Sequence, residues 1–457
     1  MLYLQPKKLP SLIESVIVLG IVISIISYFI IGLESKPHVP ILVAILIMIT
    51  YGLSRKFSFS KLQNGMIQGA QSGMGAILLF FLIGILISSW MISGTIPSLM
   101  SAAFQLAGGP WFFAIVFAIT AVSGVALGSS FTTSATLGVA FLGVAQSMDA
   151  SLAITAGAIV SGAFFGDKMS PLSDTTNLAS SIVKVDLFVH IRHIAWTTLP
   201  AFIISFILFA LLSPQQTENM ANLEVIQSTL NQSPLIHWTA WIPIMLLLMM
   251  TLTKRPAFVS IAVSSIVATL IAGIRGVMPW KEIWGIWFSG YVSETNNEVI
   301  DAMLTRGGIN SMFFTISLVI LALALGGLFF VTGIIPSVIT NIQHQLKTAR
   351  SLTLAAASTA IGINVFVGEQ YLSILLTGEA YQDLYDRAHL ARKNLSRTLE
   401  DAGTVINPLV PWSVCGVFLA DVLDVAVMDY LPFAFFCLIS PIITIIYGLT
   451  EKMITKK

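Results

Sequence analysis

The chain has 457 residues, of which 56% are hydrophobic and 10% charged, where a soluble protein of average composition carries about 25% charged residues. The net charge of +1 gives no field that would gather nucleic acid. The two cysteines, Cys415 and Cys437, both lie in apolar context and suggest neither a disulfide framework nor a metal site. What remains is a polytopic membrane protein.

In chain order, Lys7 and Lys8 precede an apolar run at 12–33, too long for a signal-peptide core and without a small-residue cleavage site after it. It reads as the first transmembrane helix. Further apolar segments occur near 39–53, 75–93, 111–147, 150–165, 195–213, 238–253, 257–274, 312–332, 352–379, 404–424 and 431–448. Segments 111–147 and 352–379 are long but interrupted, so each is a helix pair or a hairpin. The expected fold is an all-α polytopic membrane protein with about 10–14 transmembrane helices. Its parts are an N-terminal helical hairpin (1–60), a first transport repeat (61–213), an external loop (214–237), connecting helices (238–280), a second repeat (281–450) and a tail (451–457).

Lysine and arginine in short loops set orientation. Lys7 and Lys8, then Arg55, Lys56 and Lys61, then Lys184 and Arg192, then Lys254 and Arg255 mark the cytoplasmic side. So do Lys347 and Arg350, the group Arg387, Arg392, Lys393 and Arg397, and Lys452, Lys456 and Lys457. Loops 94–110 and 214–237 carry neither residue type and should face outward; the second holds Glu218, Asn222 and Glu224. Both termini come out cytoplasmic.

The two halves resemble each other. Gly94-Thr-Ile-Pro-Ser-Leu matches Gly333-Ile-Ile-Pro-Ser-Val, 239 residues on. Gly128-Ser-Ser-Phe, followed by Gly138, matches Gly368-Glu-Gln-Tyr, followed by Gly378, 240 residues on. Gly166 with Ser170-Pro-Leu matches Gly403 with Asn407-Pro-Leu, 237 residues on. The loop after Pro97 lacks Lys and Arg, whereas the loop after Pro336 has Lys347 and Arg350, so the unit is expected in opposite orientations. Inverted-topology repeats with interrupted helices are the architecture of many secondary transporters, which bind near the midplane. A homodimer is compatible with such rocking halves.

The densest chemistry lies in Gly166-Asp-Lys-Met-Ser-Pro-Leu-Ser-Asp-Thr-Thr-Asn-Leu-Ala179, where Pro171 breaks a helix beside Asp167, Lys168 and Asp174. A charge at the bilayer centre costs roughly 2.5–3.5 kcal/mol on insertion scales, so such groups are functional candidates. Ser170, Ser173, Thr175, Thr176 and Asn177 add oxygens, as do Ser129, Ser130, Thr132 and Thr133 after Gly128. The second half offers Glu369, Gln370, Ser373, Thr404, Asn407 and Ser413. Hard oxygen ligands suit a small hard cation such as Na⁺, with Asp174, Thr175 and Asn177 the first choice of ligands. A carboxylate there also carries a proton, and competition between proton and Na⁺ is the minimal mechanism of antiport. Asp174 is the leading carrier, followed by Glu369 and Asp167.

Plainer roles are open at each position. These are pairing of Asp167 with Lys168 at a helix end, capping of the helix that follows by Asp174, and a place for Glu369 at a hairpin tip in water. The run Ser129 to Thr133 also suits small-residue helix packing. His190 and His193 fall in a basic loop and are expected to be solvated or interfacial rather than metal-binding. Asp421, Asp424 and Asp429 read as an outward rim. The mixed-charge stretch from Asp383 to Glu400 reads as a solvated helical connection, with Glu400 and Asp401 as candidates for gating or proton access.

These motifs resemble the NhaC-type Na⁺/H⁺ antiporters over essentially the whole chain. The carrying residues are Gly166 to Ala179, Asp186-Leu-Phe-Val-His-Ile-Arg-His193, Glu369-Gln-Tyr-Leu-Ser373 and Glu400-Asp-Ala-Gly-Thr404 through Pro408-Leu-Val-Pro-Trp412. The chain departs from the family pattern at Glu369, in place of Asp, and at Asn407, in place of a small hydroxyl residue. The resemblance implies a bacterial cytoplasmic-membrane protein that takes external protons for internal Na⁺ and needs no cofactor. The same family includes exchangers of small organic anions, malate against lactate, and of amino acids. An anion exchanger needs a positive anchor, for which Lys168 is the candidate. No His-Glu-x-x-His, Gly-x-Ser-x-Gly or nucleotide-loop element points to an enzyme.

Overall fold

The structure, a computed structural model, describes residues 9–33, 35–107, 111–214, 235–293, 301, 304–343 and 346–457. The expected N-terminal basic pair Lys7 and Lys8, and Glu218, Asn222 and Glu224 of the external loop, lie outside the described residues.

The described residues are helical, with two isolated β-bridges and no strand. In chain order the main helices are α1 (Leu12–Ser27), α2 (His38–Ser54), α3 (Phe59–Ser72), α4 (Met74–Ile92), α5 (Thr95–Ala107), α6 (Phe112–Leu127), α7 (Ser130–Thr133), α8 (Val139–Ser147), α9 (Leu152–Met169), α10 (Asp174–Ile182) and α11 (Leu187–Leu212). There follow α12 (Ile242–Leu252), α13 (Ala257–Ile274), α14 (Phe313–Val331), α15 (Ile334–Gln343), α16 (Ala349–Val367), α17 (Gln370–Arg387), α18 (Lys393–Thr398), α19 (Val414–Leu423) and α20 (Phe435–Thr450). Among the described residues seven helices are long and apolar enough to cross a membrane, or nine if two bent pairs each count as one span. Four shorter apolar helices add to these. This is the expected all-α polytopic membrane protein.

Helices dominate because hydrocarbon offers backbone groups no partner, so each segment must satisfy its own. Side-chain hydroxyls follow the same rule. Thr120, Thr136, Thr155, Thr198 and Ser205 donate to carbonyls four residues back along the chain. Helix α11 shows the inside-out pattern of a span: Phe188, Trp196, Leu199, Ile203, Ile207 and Leu211 are exposed, while His190, His193, Thr197, Thr198 and Ser205 are buried. Small residues let helices close up. Gly69 on α3 lies so near Gly327 on α14 that a Cβ would stand 2.9 Å from the Gly327 Cα.

Both long interrupted segments resolve into two helices joined at a left-handed glycine. Gly128 ends α6 with φ +63°, and Gly368 ends α16 with φ +76°. The matched pair Gly94 and Gly333 also share φ values, +82° and +81°.

Three expectations are corrected. The span expected at 195–213 begins at Leu187, so Arg192, His190 and His193 ride on a helix, and both histidines are buried instead of solvated. His190 Nδ1 bonds Ser396 Oγ at 2.8 Å. The stretch from Asp383 to Glu400 is solvated only in its first part, where Asp383, Arg387 and His389 are exposed; from Asn394 through Thr404 every residue is buried. Asp401 meets its partner inside the protein, in Lys168, and composition alone does not reveal this.

The tail is pinned to the loop at 388–394. Leu390 and Lys456 form an antiparallel bridge, the Ala391 amide donates to Thr455 O at 3.0 Å, and Asn394 and Thr455 exchange bonds of 2.7 and 3.0 Å. Asp386 accepts from Arg392 and pairs with Lys457 at 2.7 Å; these two cations hold its carboxyl down to about 2. Because the folded value lies below the ordinary value of about 3.9, the contribution is present at neutral pH and lost as pH falls through about 2. Solvent screening limits it to about 1 kcal/mol or less. Asp386→Asn is expected to lower the unfolding temperature of detergent-solubilised protein at pH 7, with the gap from wild type closing toward pH 2. A gap that persists unchanged at low pH would contradict the pairing.

Candidate functional site

The first break follows Gly128. A side chain there would be strained by φ, and its Cβ would stand 2.7 Å from the Leu172 Cβ. The chain leaves as extended Ser129, whose Oγ caps α7 by accepting from the Thr132 amide (3.2 Å) and from Thr132 Oγ1 (3.1 Å). Thr133 Oγ1 donates to the Ser129 carbonyl at 2.8 Å. Ser130 Oγ donates to Asp167 Oδ2 at 2.9 Å and ties this break to the next.

The second break, between α9 and α10, is held by its own side chains. Ser173 Oγ caps α10 from the Thr176 amide at 3.4 Å and lies 3.0 Å from Thr175 Oγ1. Thr176 Oγ1 donates to the carbonyls of Asp167 and Lys168 at 3.3 and 3.1 Å. Asn177 Nδ2 donates to the carbonyls of Pro171 and Ser173 at 3.0 and 2.7 Å. Asp174 is the first residue of α10, not its cap, and its carboxylate lies where the helix dipole favours an anion.

The two breaks meet at a cavity of about 480 Å³ whose wall carries Ser129, Ser130, Thr132, Asp167, Asp174, Thr175, Asn177 and Gln370. Exposed Lys254 and Arg255 also border it. A neighbouring cavity of about 360 Å³ shares Phe131, Asp174 and Tyr371 with the first and reaches Glu369. Asp174 therefore faces both spaces. Thr133, Ser173 and Thr176 are buried behind the wall.

In the second half, Glu369 is buried and caps α17, with Oε2 accepting from the Leu372 amide at 2.7 Å; it is not at a hairpin tip in water. Gln370 beside it is buried with Oε1 unpartnered. Ser373 and Asn407 lie off the cavity wall and work as struts. Ser373 Oγ donates to the Ala360 carbonyl at 2.7 Å. Asn407 Nδ2 donates to Asn364 Oδ1 at 2.8 Å, and Asn407 Oδ1 accepts from the Cys415 amide at 2.9 Å. Thr404 is buried away from both cavities. Sequence reasoning missed Asn364, which also donates to the Gly403 carbonyl at 2.6 Å. The signal was a lone amide inside the apolar run at 352–367. It stands 240 residues after Gly124, which packs against Gly166 as Asn364 packs against Gly403.

Lys168 faces away from the cavities and pairs with Asp401, not with Asp167. Both side chains are fully buried. Lys168 Nζ also reaches Ser440 Oγ at 2.9 Å, Ser440 donates to Asp401 Oδ1 at 2.6 Å, and Thr444 donates to Asp401 Oδ2. The group expected as an anion anchor is thus occupied in joining α9 to the turn after α18. Removing one partner of a buried pair costs about 3–5 kcal/mol, because the other charge is left uncompensated. Lys168→Met alone should therefore lower thermal stability in detergent sharply, while Lys168→Met with Asp401→Asn should regain a large part of the loss. Additive effects of the two substitutions would rule out the coupling.

Known proteins match the chain over most of its length. A profile of the Na⁺/H⁺ antiporter family matches residues 162–452, which include both second-half breaks and the α9–α10 break. The chain is 40% identical over 439 residues to the Na⁺/H⁺ antiporter NhaC of Alkalihalophilus pseudofirmus, covering 95% of this chain and 94% of that one. It is 36% identical over 427 residues to NhaC of Bacillus subtilis, covering 92% and 94%. It is 32% identical over 454 residues to the malate-2H⁺/Na⁺-lactate antiporter of Bacillus subtilis, covering 99% and 97%. A polytopic helical protein with two broken helices around buried carboxylates, matched over nearly its full length, belongs to the Na⁺/H⁺ antiporter family and is a transporter, not an enzyme.

Proposed function

We propose that this protein exchanges Na⁺ for H⁺ across the bacterial cytoplasmic membrane by alternating access, moving Na⁺ outward. One observation carries the reading: the cavity presents Asp167 and Asp174 with hydroxyl and amide oxygens, while Lys168 is turned away into an ion pair. A cavity lined by acids and hard oxygens suits a small cation and gives a substrate anion no buried positive anchor. Asp174 carries the competition between Na⁺ and H⁺, with Asp167 and Thr175 beside it and Asn177 completing the ligands. Glu369 and Gln370 approach from the second half.

By the basic-loop rule, Lys254 and Arg255 mark the cytoplasmic side, so the cavity opens inward and the termini are cytoplasmic. The matched left-handed turns at Gly94 and Gly333, and at Gly128 and Gly368, support two repeats of one unit in opposite orientation. Exchange of the two halves' conformations then turns the site outward. A homodimer would give the moving halves a fixed support, and the mass of the protein–detergent complex by light scattering tests it.

Exchange of small carboxylates is the second reading. It is favoured by the malate/lactate relative and by Lys254 and Arg255 at the cavity border. Everted vesicles from a host lacking its own Na⁺ antiporters separate the two. With an acid interior established, Na⁺ alone should collapse the gradient, and Asp174→Asn should abolish most of the collapse. If no collapse occurs until malate or lactate is added, the cation-antiport reading fails.

A further inference from the structure

The residues Leu399–Thr404 between α18 and the second-half break are wound as a π-turn. Such turns appear mostly within α-helices and often at functional sites. This one packs against α9, α10, α16, α17, α18 and α20. Glu400 on it is fully buried, and neither carboxylate oxygen has a hydrogen-bond partner. Thr404 Oγ1, one turn on, is also buried and unpartnered. The adjacent Asp401 is the opposite case, with Lys168, Ser440 and Thr444 all directed at it.

An ionised carboxylate without a partner is not tenable in such a place; it takes a proton or a cation. The charged groups around it decide which. Lys168 and Asp167 on α9 and Asp401 beside it act on Glu400 directly. Lys168 is already paired with Asp401. Arg397 on α18 donates through Nη1 to the Met453 carbonyl and lies over the Tyr447 ring of α20. Asp174 on α10 and Glu369 before α17 line the cavities instead. Helix α16 brings only Arg350, which pairs with Glu451 at its exposed end. A hard cation gathers several oxygens. The turn offers only Thr404 Oγ1 besides the carboxylate, and Glu400 lines neither cavity described above. The occupant that fits is a proton.

We propose that Glu400 takes up and releases a proton in each transport cycle, making the π-turn a protonation site separate from the cavity carboxylates. This rests on the exchange reading above. The release has a route. Lys168 belongs to the first half and Glu400 to the second, so a rearrangement of the halves that brings Lys168 between Asp401 and Glu400 supplies the compensating charge while Asp401 stays paired. The Glu400 O–H bond then breaks, the proton leaves to water admitted by the same rearrangement, and the Glu400 carboxylate that remains is paired with Lys168. Asp401 keeps its hydroxyl donors Ser440 and Thr444 in that state.

The test uses the full-length protein with Glu400→Gln, which keeps the shape of the protonated acid but cannot release a proton, and Glu400→Asp as the conservative variant. Three readouts are compared: Na⁺/H⁺ exchange in everted vesicles against pH, Na⁺-dependent thermal stabilisation in detergent, and infrared difference spectra on a pH step without Na⁺. Glu400→Gln should keep Na⁺-dependent stabilisation and lose most of its exchange. Glu400→Asp should recover exchange with a displaced pH profile. The wild-type spectrum should contain a carboxylic C=O band that Glu400→Gln lacks. Wild-type exchange and an unchanged band in Glu400→Gln would make Glu400 a permanently protonated packing residue and overturn the proposal. Loss of Na⁺-dependent stabilisation in Glu400→Gln would make Glu400 a cation ligand and overturn it too. Absence of exchange in the wild type would instead refute the functional reading, while the infrared band would still decide whether Glu400 titrates.

Discussion

The Lys168–Asp401 pair fixes how the other parts sit. It is fully buried and joins the end of α9 to the turn that leads into the second-half break. Desolvating two charges is expensive, and their attraction compensates only if further hydrogen bonds complete the site. Ser440 and Thr444 on α20 supply those bonds, so three segments distant in sequence must meet at one point. With Lys168 held there, Asp167, the residue before it, is turned toward the cavity and Ser130. A single ion pair in the wall thus sets the direction of the carboxylate in the cavity.

The breaks persist in an apolar setting because their free backbone groups find side-chain partners. In the first half these are the hydroxyls of Ser129, Ser173 and Thr176 and the amide of Asn177. In the second half the amides of Asn364 and Asn407 take over. The two solutions differ in rigidity. Serine and threonine at the first break leave oxygens on the cavity wall, where a cation can use them. The asparagine pair spends its donors and acceptors on the backbone and on each other, so the second-half break is braced and contributes little to the wall. The binding chemistry is therefore lopsided although the backbone turns at Gly128 and Gly368 match.

Much of the fold was legible in the sequence, since length and apolarity of segments dictate helices in a membrane and since paired glycines announced both sharp turns. The cluster at Asp167, Asp174, Thr175 and Asn177 was legible for the same reason: charge and broken helix together have few structural uses in lipid. What failed to show was partnership across distance. Lys168 lies next to Asp167 in sequence, but successive residues on a helix point about 100° apart, and only the fold reveals that Asp401 receives it. His190 and Glu400 misled in the other direction. Their polar neighbours suggested water, yet each polar face is turned inward against another helix, and composition counts charge without saying which way it faces.

The resulting inventory of charge connects structure to exchange. One buried ammonium, Lys168, is matched by Asp401, and Glu369 is held by an amide; Asp167 takes a hydroxyl and Asp174 opens to the cavities. Carboxylates outnumber the cations that face them, and the difference has to be made up by mobile positive charge. In the exchange proposed above, protons or Na⁺ make up that difference, and which of them is held depends on which side the cavity faces and on the concentrations there. In that proposal excess buried acid supplies the competition, and the broken helices supply a joint around which access can change. Neither feature alone would exchange one cation for another.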